Sequence, residues 1–254
     1  HPILSNLLVT ADEVTNKISL TGFDLNLGIQ TSFEAKVVKS GAITIPAKIL
    51  AEIVSKFPSE SPITLKVEEG SANILLTSDR GSFNLKGLLS DDYPQLPFVE
   101  SGTSLDINPS VFLQALKLTI FSSSNDESKQ LLTGVNFKFK DQCLESAATD
   151  GHRLAVVLTS DDKNFVETKN TDNLSTDEEY LSVTIPTRSL REIEKLVSSN
   201  NQENSIKLFY DKGQVVFISS NQIITTRTLE GTYPNYSQLI PDTFSKIFNF
   251  NTKK

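Results

Sequence analysis

The chain has 254 residues, 38% hydrophobic and 22% charged, with a net charge of −7 and a pI near 5.0. That composition belongs to a globular protein with one large or two ordinary cores and excludes a disordered chain. No apolar run reaches the roughly 20 residues of a membrane helix, and the lone Cys143 excludes an internal disulfide framework and suits a reducing compartment. The acid excess argues against a protein that is basic overall, but nucleic-acid binding needs only a local basic face, so charge leaves that class open.

In chain order, HPILSNLLV reads as an apolar strand without the basic start or small-residue cleavage site of a secretory leader. Opening without Met inside a strand, the chain is expected to lack its front end. NLLVTADEVTNKISLTGFDLNLGI then reads as a strand, a polar turn and two more strand-like runs. IPAKILAEIVSKF has helical periodicity, with Pro46 in the first turn, where its missing N–H costs nothing. Ile49, Leu50, Ile53, Val54 and Phe57 are expected to face inward, and Lys48 and Lys56 outward. Three strands follow (ITLKVE, NILLTS, SFNLKGL), with a turn at Glu69-Gly70, and the block closes on Tyr93-Pro94.

A Ser-Gly-Thr-Ser boundary at 101–104 leads into an apolar helix opened by Asn108 as cap and Pro109 as first residue. GVNFKFKDQCLESAATDGHRLAVVL again reads as three strands, with Cys143 expected as a small core residue. Asp150-Gly151 should form a turn, with His152 and Arg153 starting the next strand. Residues 160–179 are almost wholly polar and read as a surface loop. IPTRSLREIEKLV is a second Ile-Pro helix, followed by IKLFYD, QVVFIS and IITTRTL, with a turn at Lys212-Gly213, and then Tyr233-Pro234.

The chain therefore repeats itself. Ile45-Pro46 and Ile185-Pro186 stand 140 positions apart, as do Tyr93-Pro94 and Tyr233-Pro234, with one helix and three strands between the anchors in the same order. The apolar helix after Asn108 has no counterpart ahead of the first copy.

Few residues could carry chemistry. Asp150 and His152 invite an enzymatic reading, but no nucleophile or ligand motif accompanies them, so a turn or a binding surface is the competing account. On the helix after Pro186, Leu190, Ile193, Leu196 and Val197 share one side. Arg188, Arg191 and Lys195 share the other with no acid among them, flanked by Glu192 and Glu194. Such a stripe suits DNA phosphates, or is an ordinary solvated face.

ATDGHRLAVV after LLTGVNF, then VTIPTRSLREIEKL and LEGTYPNYSQLIP, resembles the middle domain of the bacterial beta sliding clamps. HPILSNLLV, SLTGFDLNL, ITIPAKILAEIVSKFP and LLSDDYPQLP resemble the first domain of the same family, so essentially the whole chain is covered. The resemblance implies an α+β fold of tandem clamp domains, each with two helices packed on antiparallel sheets, forming part of a six-domain ring. It places the first domain at 1–101 with its opening strand and helix missing, the second at 102–241, and the start of a third at 242–254. With both ends short, this chain is expected not to close a ring. The implied function is a processivity factor that encircles double-stranded DNA without base preference and docks clients. The implied partners are the replicative polymerase subunit, the clamp loader and other clients with short hydrophobic motifs, and a second copy of the chain. No catalytic residue, metal, cofactor or membrane is implied, and the setting is the cytoplasm, near the nucleoid. By position, Arg188, Arg191, Lys195, Lys129 and Gln130 fall at the DNA face. Leu132, Thr149, Gly151, His152, Arg153, Leu154, Pro234 and Leu239 fall in one half of the client-peptide cleft. A repeat-built interaction module unrelated to DNA and an enzyme using Asp150 and His152 are the alternatives.

Overall fold

A computed structural model describes residues 2–58, 60–68, 70–99, 102–140, 143–160, 168–169, 181–199, 205–241 and 243–249. The first repeat comprises β1 (Asn6–Asp12), β2 (Lys17–Phe23), β3 (Leu27–Glu34), β4 (Gly41–Pro46), α1 (Ala47–Val54), β5 (Thr64–Val67), β6 (Asn73–Ser78) and β7 (Gly81–Lys86). The second opens with β8 (Thr103–Ile107) and α2 (Pro109–Thr119), neither of which has a described counterpart in the first. It continues with β9 (Gly134–Lys140), β10 (Cys143–Thr149), β11 (Leu154–Ser160), β12 (Thr168–Lys169), β13 (Leu181–Pro186), α3 (Thr187–Ser199), β14 (Ile206–Asp211), β15 (Gln214–Ile218) and β16 (Gln222–Arg227). Apart from β12, the expected polar loop at 160–179 lies almost wholly outside the described residues.

Every strand pairing is antiparallel, and the repeat is visible in the strand order. The four-stranded sheet runs β11-β10-β9-β13, the same order as β3-β2-β1-β4 in the first repeat. The trio β14-β15-β16 matches the three-stranded sheet β5-β6-β7. What joins the repeats is β16 pairing with β3, from Gln222 opposite Thr31 to Thr226 opposite Leu27, which fuses the halves into one nine-stranded sheet. Each strand trio is tied back to its Ile-Pro strand by a threonine at a 140-residue offset: the Leu88 amide donates to the Thr44 carbonyl (3.1 Å) and the Leu229 amide to that of Thr184 (2.8 Å).

The tyrosines of the two Tyr-Pro steps are pegs. Tyr93 is buried and donates to the Thr21 carbonyl in β2 (3.1 Å), while Tyr233 accepts from the Thr149 amide in β10 (3.1 Å). Each thus fixes the tail of its repeat to the backbone of the equivalent strand, β2 in one repeat and β10 in the other, which is why the motif recurs.

The main core lies under α2 and α3. Phe112, Ala115 and Leu116 from α2 and Leu190, Ile193, Leu196 and Val197 from α3 pack on Phe137, Leu144, Ile185, Leu208 and Phe217. The inward face expected for α3 is therefore observed, and Asn108 caps α2 by accepting from the Ser110 amide, with Pro109 at the first helical position. The smaller core of the first repeat holds Val9, Ile43, Ile45 and Ile74, with Leu50 against it.

Five local expectations change. Pro2–Ser5, expected as part of a strand, form a 3-10 turn, and β1 starts only at Asn6. Pro46 and Pro186 end β4 and β13 instead of sitting inside the helices, because each N–H-less ring closes an edge strand before the chain turns. On α1, Ile49 and Val54 are 46% and 40% exposed, since that short helix packs mainly against β1 and β4 and does not cover all five apolar side chains. Cys143 is half-buried at the first residue of β10, where side chains are only partly covered, and is not in the core. His152 and Arg153 remain in the turn, and β11 begins at Leu154.

The β16–β3 join leaves no space at Gly28. A Cβ there would lie 2.4 Å from Leu96 Cδ2 and 2.7 Å from Thr225 Cγ2, whereas one at Gly41 meets nothing within 4 Å. Gly28→Ala should therefore destabilise the protein by about 1–3 kcal/mol through overpacking. Gly41→Ala should change stability by less than about 1 kcal/mol, as a surface strand position. Urea denaturation of the two variants beside the parent checks this, and equal midpoints would show the join to be loosely packed.

Candidate functional site

Helix α3 is held at its start by two hydroxyl contacts. Thr187 donates to Ser123 Oγ (2.9 Å), and Ser189 shares a 2.7 Å hydrogen bond with Thr226 of β16. Between these anchors Arg188 projects outward. Its neighbours along the helix, Arg191 and Lys195, share with it an open groove of about 770 Å³. Gln130, Asn125 and Glu127 line the other side of this groove.

The groove is less purely basic than the stripe alone suggested. Arg188 Nη2 lies 2.8 Å from Asp24 Oδ2 and Lys195 Nζ 2.8 Å from Glu192 Oε1, so the expectation of no acid among the cations fails for the folded chain. Asp24 arrives from the other repeat, more than 160 residues away, and no helical-wheel argument could find it. Arg191 has no ion pair among the described residues.

Lys129 and Gln130 separate although adjacent. Gln130 lines the groove, while Lys129 breaks the 3-10 segment Glu127–Thr133 at φ −99°, ψ 56°, and its amino group lies 3.9 Å from where a Cβ on Gly151 would be. Lys129 therefore sits beside the 150–153 turn. Asp126 caps that 3-10 segment by accepting from the Ser128 amide and hydroxyl, and these bonds hold its carboxyl below the ordinary range.

The 150–153 turn is built by its own side chains. Asp150 Oδ1 accepts from the amides of His152 (2.8 Å) and Arg153 (3.0 Å), and Oδ2 pairs with Arg153 Nε (3.0 Å). The two backbone amides, with the Arg153 guanidinium, keep the Asp150 carboxyl below its usual value. Gly151 takes φ +94°, a conformation that favours glycine. Both carboxylate oxygens are thus engaged in shaping a loop, which is the turn reading and not that of a base poised for catalysis. Among the described residues no group of three or more His, Cys, Asp or Glu could hold a metal ion. No described helix is long and apolar enough to cross a membrane.

Of the expected cleft residues, Thr149, Gly151, His152, Arg153 and Leu154 form this one turn, with Thr149 Oγ1 donating to the Arg153 carbonyl and accepting from the Gly151 amide. The Thr149–Tyr233 bond brings the segment carrying Pro234 and Leu239 to the turn's base. Leu239, on a 3-10 turn at Ser237–Leu239, is 73% exposed, whereas Leu132 is half-buried and its carbonyl accepts from the Ser124 amide.

Two features escaped the sequence. Phe121, 59% exposed just past α2, lies under the Arg153 guanidinium at 5.8 Å, and its only sequence signal was an apolar residue at the helix end. Tyr236 is buried, hydrogen-bonded to Glu145, with Lys138 both paired to Glu145 (2.9 Å) and over the tyrosine ring (4.7 Å). This trio clamps the Pro234–Leu239 segment to the sheet.

Burial, reinforced by the Glu145 carboxylate, pushes the Tyr236 phenol from 10.0 up to about 12. Burial also opposes charge on Glu145, but the bonds from Tyr236 and Lys138 outweigh it and leave that carboxyl lowered. Because the folded phenol pKa is raised, its contribution to stability is complete below pH 10 and is lost as pH climbs through about 12. Tyr236→Phe should flatten the fall of stability across that alkaline window, measured by denaturant melts at stepped pH. An unchanged slope would show that the phenol is not protected.

Two sequence profiles match the chain: "DNA polymerase III beta subunit, N-terminal domain" at residues 1–97 and "DNA polymerase III beta subunit, central domain" at 106–235. Among curated relatives, the beta sliding clamp of Synechococcus elongatus is 45% identical over 254 residues, which are 100% of this chain and 64% of that protein. That of a Synechocystis species is 42% identical over 264 residues, covering 100% of this chain and 66% of that one. The chain therefore spans just under two thirds of the length of these relatives. Among solved structures, the DNA polymerase sliding clamp of Bacillus subtilis superposes with a TM-score of 0.80 at 28% identity, covering 95% of this chain and 61% of that one. The sliding clamp of Bartonella birtlesii, solved bound to griselimycin, gives 0.81 at 30% identity, covering 95% and 61%.

Proposed function

Because the chain belongs to the bacterial DNA polymerase III beta-subunit family, the beta sliding clamps, we propose that it forms two of the domains of a ring-shaped processivity factor. Such a ring encircles double-stranded DNA in the cytoplasm, slides without base preference and docks clients, with no reaction of its own. One observation carries this reading: the antiparallel join between β16 and β3, which lets similar units continue one another edge to edge. The unit is reusable. Strand β11 occupies in its sheet the place that β3 holds in the first repeat, and β7 the place of β16; among the described residues each has a partner on one side only. A further repeat would pair with each by the same rule, and head-to-tail repetition that closes makes a ring. We assign 1–101 and 102–241 as the first two domains, the chain from 242 as the lead into a third, and two copies as the closed assembly.

Arg188, Arg191, Lys195 and Gln130 form the DNA face in this account, with Lys129 at its border. Phosphate contacts of this kind position a protein without reading sequence. The client site is the turn Thr149–Leu154 with Leu132, Pro234 and Leu239, an apolar surface with a few polar tips that suits a short hydrophobic peptide of the polymerase or clamp loader. The griselimycin held by the Bartonella birtlesii clamp supports a ligand site on relatives of this fold.

Retention on DNA tests the ring. The intact protein should remain on nicked circular duplex and be lost when the circle is cut; equal loss from both overturns the ring. For the cleft, Leu132→Ala in the intact protein should weaken a hydrophobic client peptide about 5- to 150-fold, the value of a buried leucine. Gly151 is unsuited to such a test because its φ of +94° would strain any other residue. Unchanged peptide affinity with an unchanged thermal melt removes Leu132 from the cleft.

A further inference from the structure

The Arg188–Asp24 contact crosses the junction between the two repeats, and both of its ends are fixed by that junction. Asp24 Oδ1 accepts from the amides of Asn26 (3.0 Å) and Leu27 (2.7 Å), and the Arg227 amide at the end of β16 donates to the Asn26 carbonyl (3.0 Å). One carboxylate oxygen therefore holds the loop and the other, Oδ2, is left to face α3 at 2.8 Å from Arg188 Nη2. On the helix side, Thr187 and Ser189 are pinned to Ser123 and Thr226, so Arg188 is presented from a fixed base.

Arg188 is 76% exposed, and exposed ion pairs contribute little to stability, so the contact is a poor clasp between domains. Its effect falls on the arginine instead. A carboxylate oxygen at this distance meets the same guanidinium donors that a phosphate oxygen would use. We propose that Asp24 is an internal stand-in for a DNA phosphate: it occupies Arg188 in the free protein, is displaced by the backbone of the duplex, and so limits how tightly the groove grips. The inference rests on reading this groove as the DNA face. Lys195 is engaged in the same manner by Glu192 within the helix, and Arg191 is left as the cation with no such competitor among the described residues. A groove whose cations exchange between internal acids and phosphates gives contact that is general but shallow, as movement along DNA requires.

The test compares Asp24→Asn, Arg188→Ala and the double variant of the intact clamp, titrating a short labelled duplex across a salt series by fluorescence polarisation. Asparagine keeps the oxygen that accepts from Asn26 and Leu27, so the loop should survive and the thermal melt stay unchanged. Asp24→Asn should tighten duplex binding about two- to fivefold, the range of an exposed ion pair. It should also steepen log K against log salt by up to about 0.9, because no displaced carboxylate is left to take up a cation when the duplex binds. Both gains should vanish in the Arg188→Ala background. An equal gain in that background would mean simple removal of negative charge and overturns the proposal. So does a lowered melt with no change in salt slope, which would make Asp24 a strut. If Arg188→Ala weakens binding while Asp24→Asn does nothing, the stand-in is wrong and the DNA face survives. If replacing Arg188, Arg191 and Lys195 together changes neither affinity nor slope, the DNA face is wrong and the inference falls with it.

Discussion

The pairing of β16 with β3 is the constraint from which the rest of the arrangement follows. Two exposed strand edges, each a liability in isolation, satisfy one another's backbone groups and turn two repeats into one sheet. Register at the join is held by packing. Ile224 is buried opposite Ile29, and Gly28 sits opposite Thr225 with no room for a side chain, so a one-residue slip would bring a side chain into the space that only Gly28 fits. With the ladder in place, the loop at 24–26 is bonded to the end of β16, and α3 is bonded to β16 through Ser189 and Thr226. The groove along α3 and the acid that faces it are thus positioned by the same strand.

Electrostatics in that groove are a local matter that net charge does not describe. A chain of −7 presents Arg188, Arg191 and Lys195 on one helix face, yet two of these cations are already met by carboxylates. In water such exposed pairs are exchanged at small cost, so under the proposed function they would attenuate phosphate binding without abolishing it. A face built to hold a polyanion firmly would leave its cations unpaired. On the proposed reading of this groove as a DNA face, the pairing would suit a grip that comes from encirclement more than from contact.

The surface around the turn at 149–154 is organised by tyrosines. Tyr233 reaches the Thr149 amide and Tyr236 the Glu145–Lys138 pair, so the strand-free segment after β16 is nailed at two points to β10. In the first repeat Tyr93 makes the equivalent backbone contact to β2, with no second tyrosine behind it. The second repeat therefore has its tail fixed at two points beside its turn, where the first has one.

The sequence by itself determined the repeat, the strands and helices that fill it, the inward face of α3, the cap on α2 and the family to which the chain belongs. These rest on periodicity and on residue types whose local physics is strong: an asparagine before proline at a helix start, alternating apolar residues, a Tyr-Pro step at a constant offset. What only the tertiary structure decided involves partners distant in the chain. Asp24 against Arg188, Tyr236 against Glu145, and the divergence of Lys129 from Gln130 depend on which loop reaches which helix, and no spacing encodes that. The same limit explains α1, where five apolar residues gave an amphipathic pattern but Ile49 and Val54 stand open. Periodicity states which side chains share a face; only the packed neighbours state how wide a face is covered.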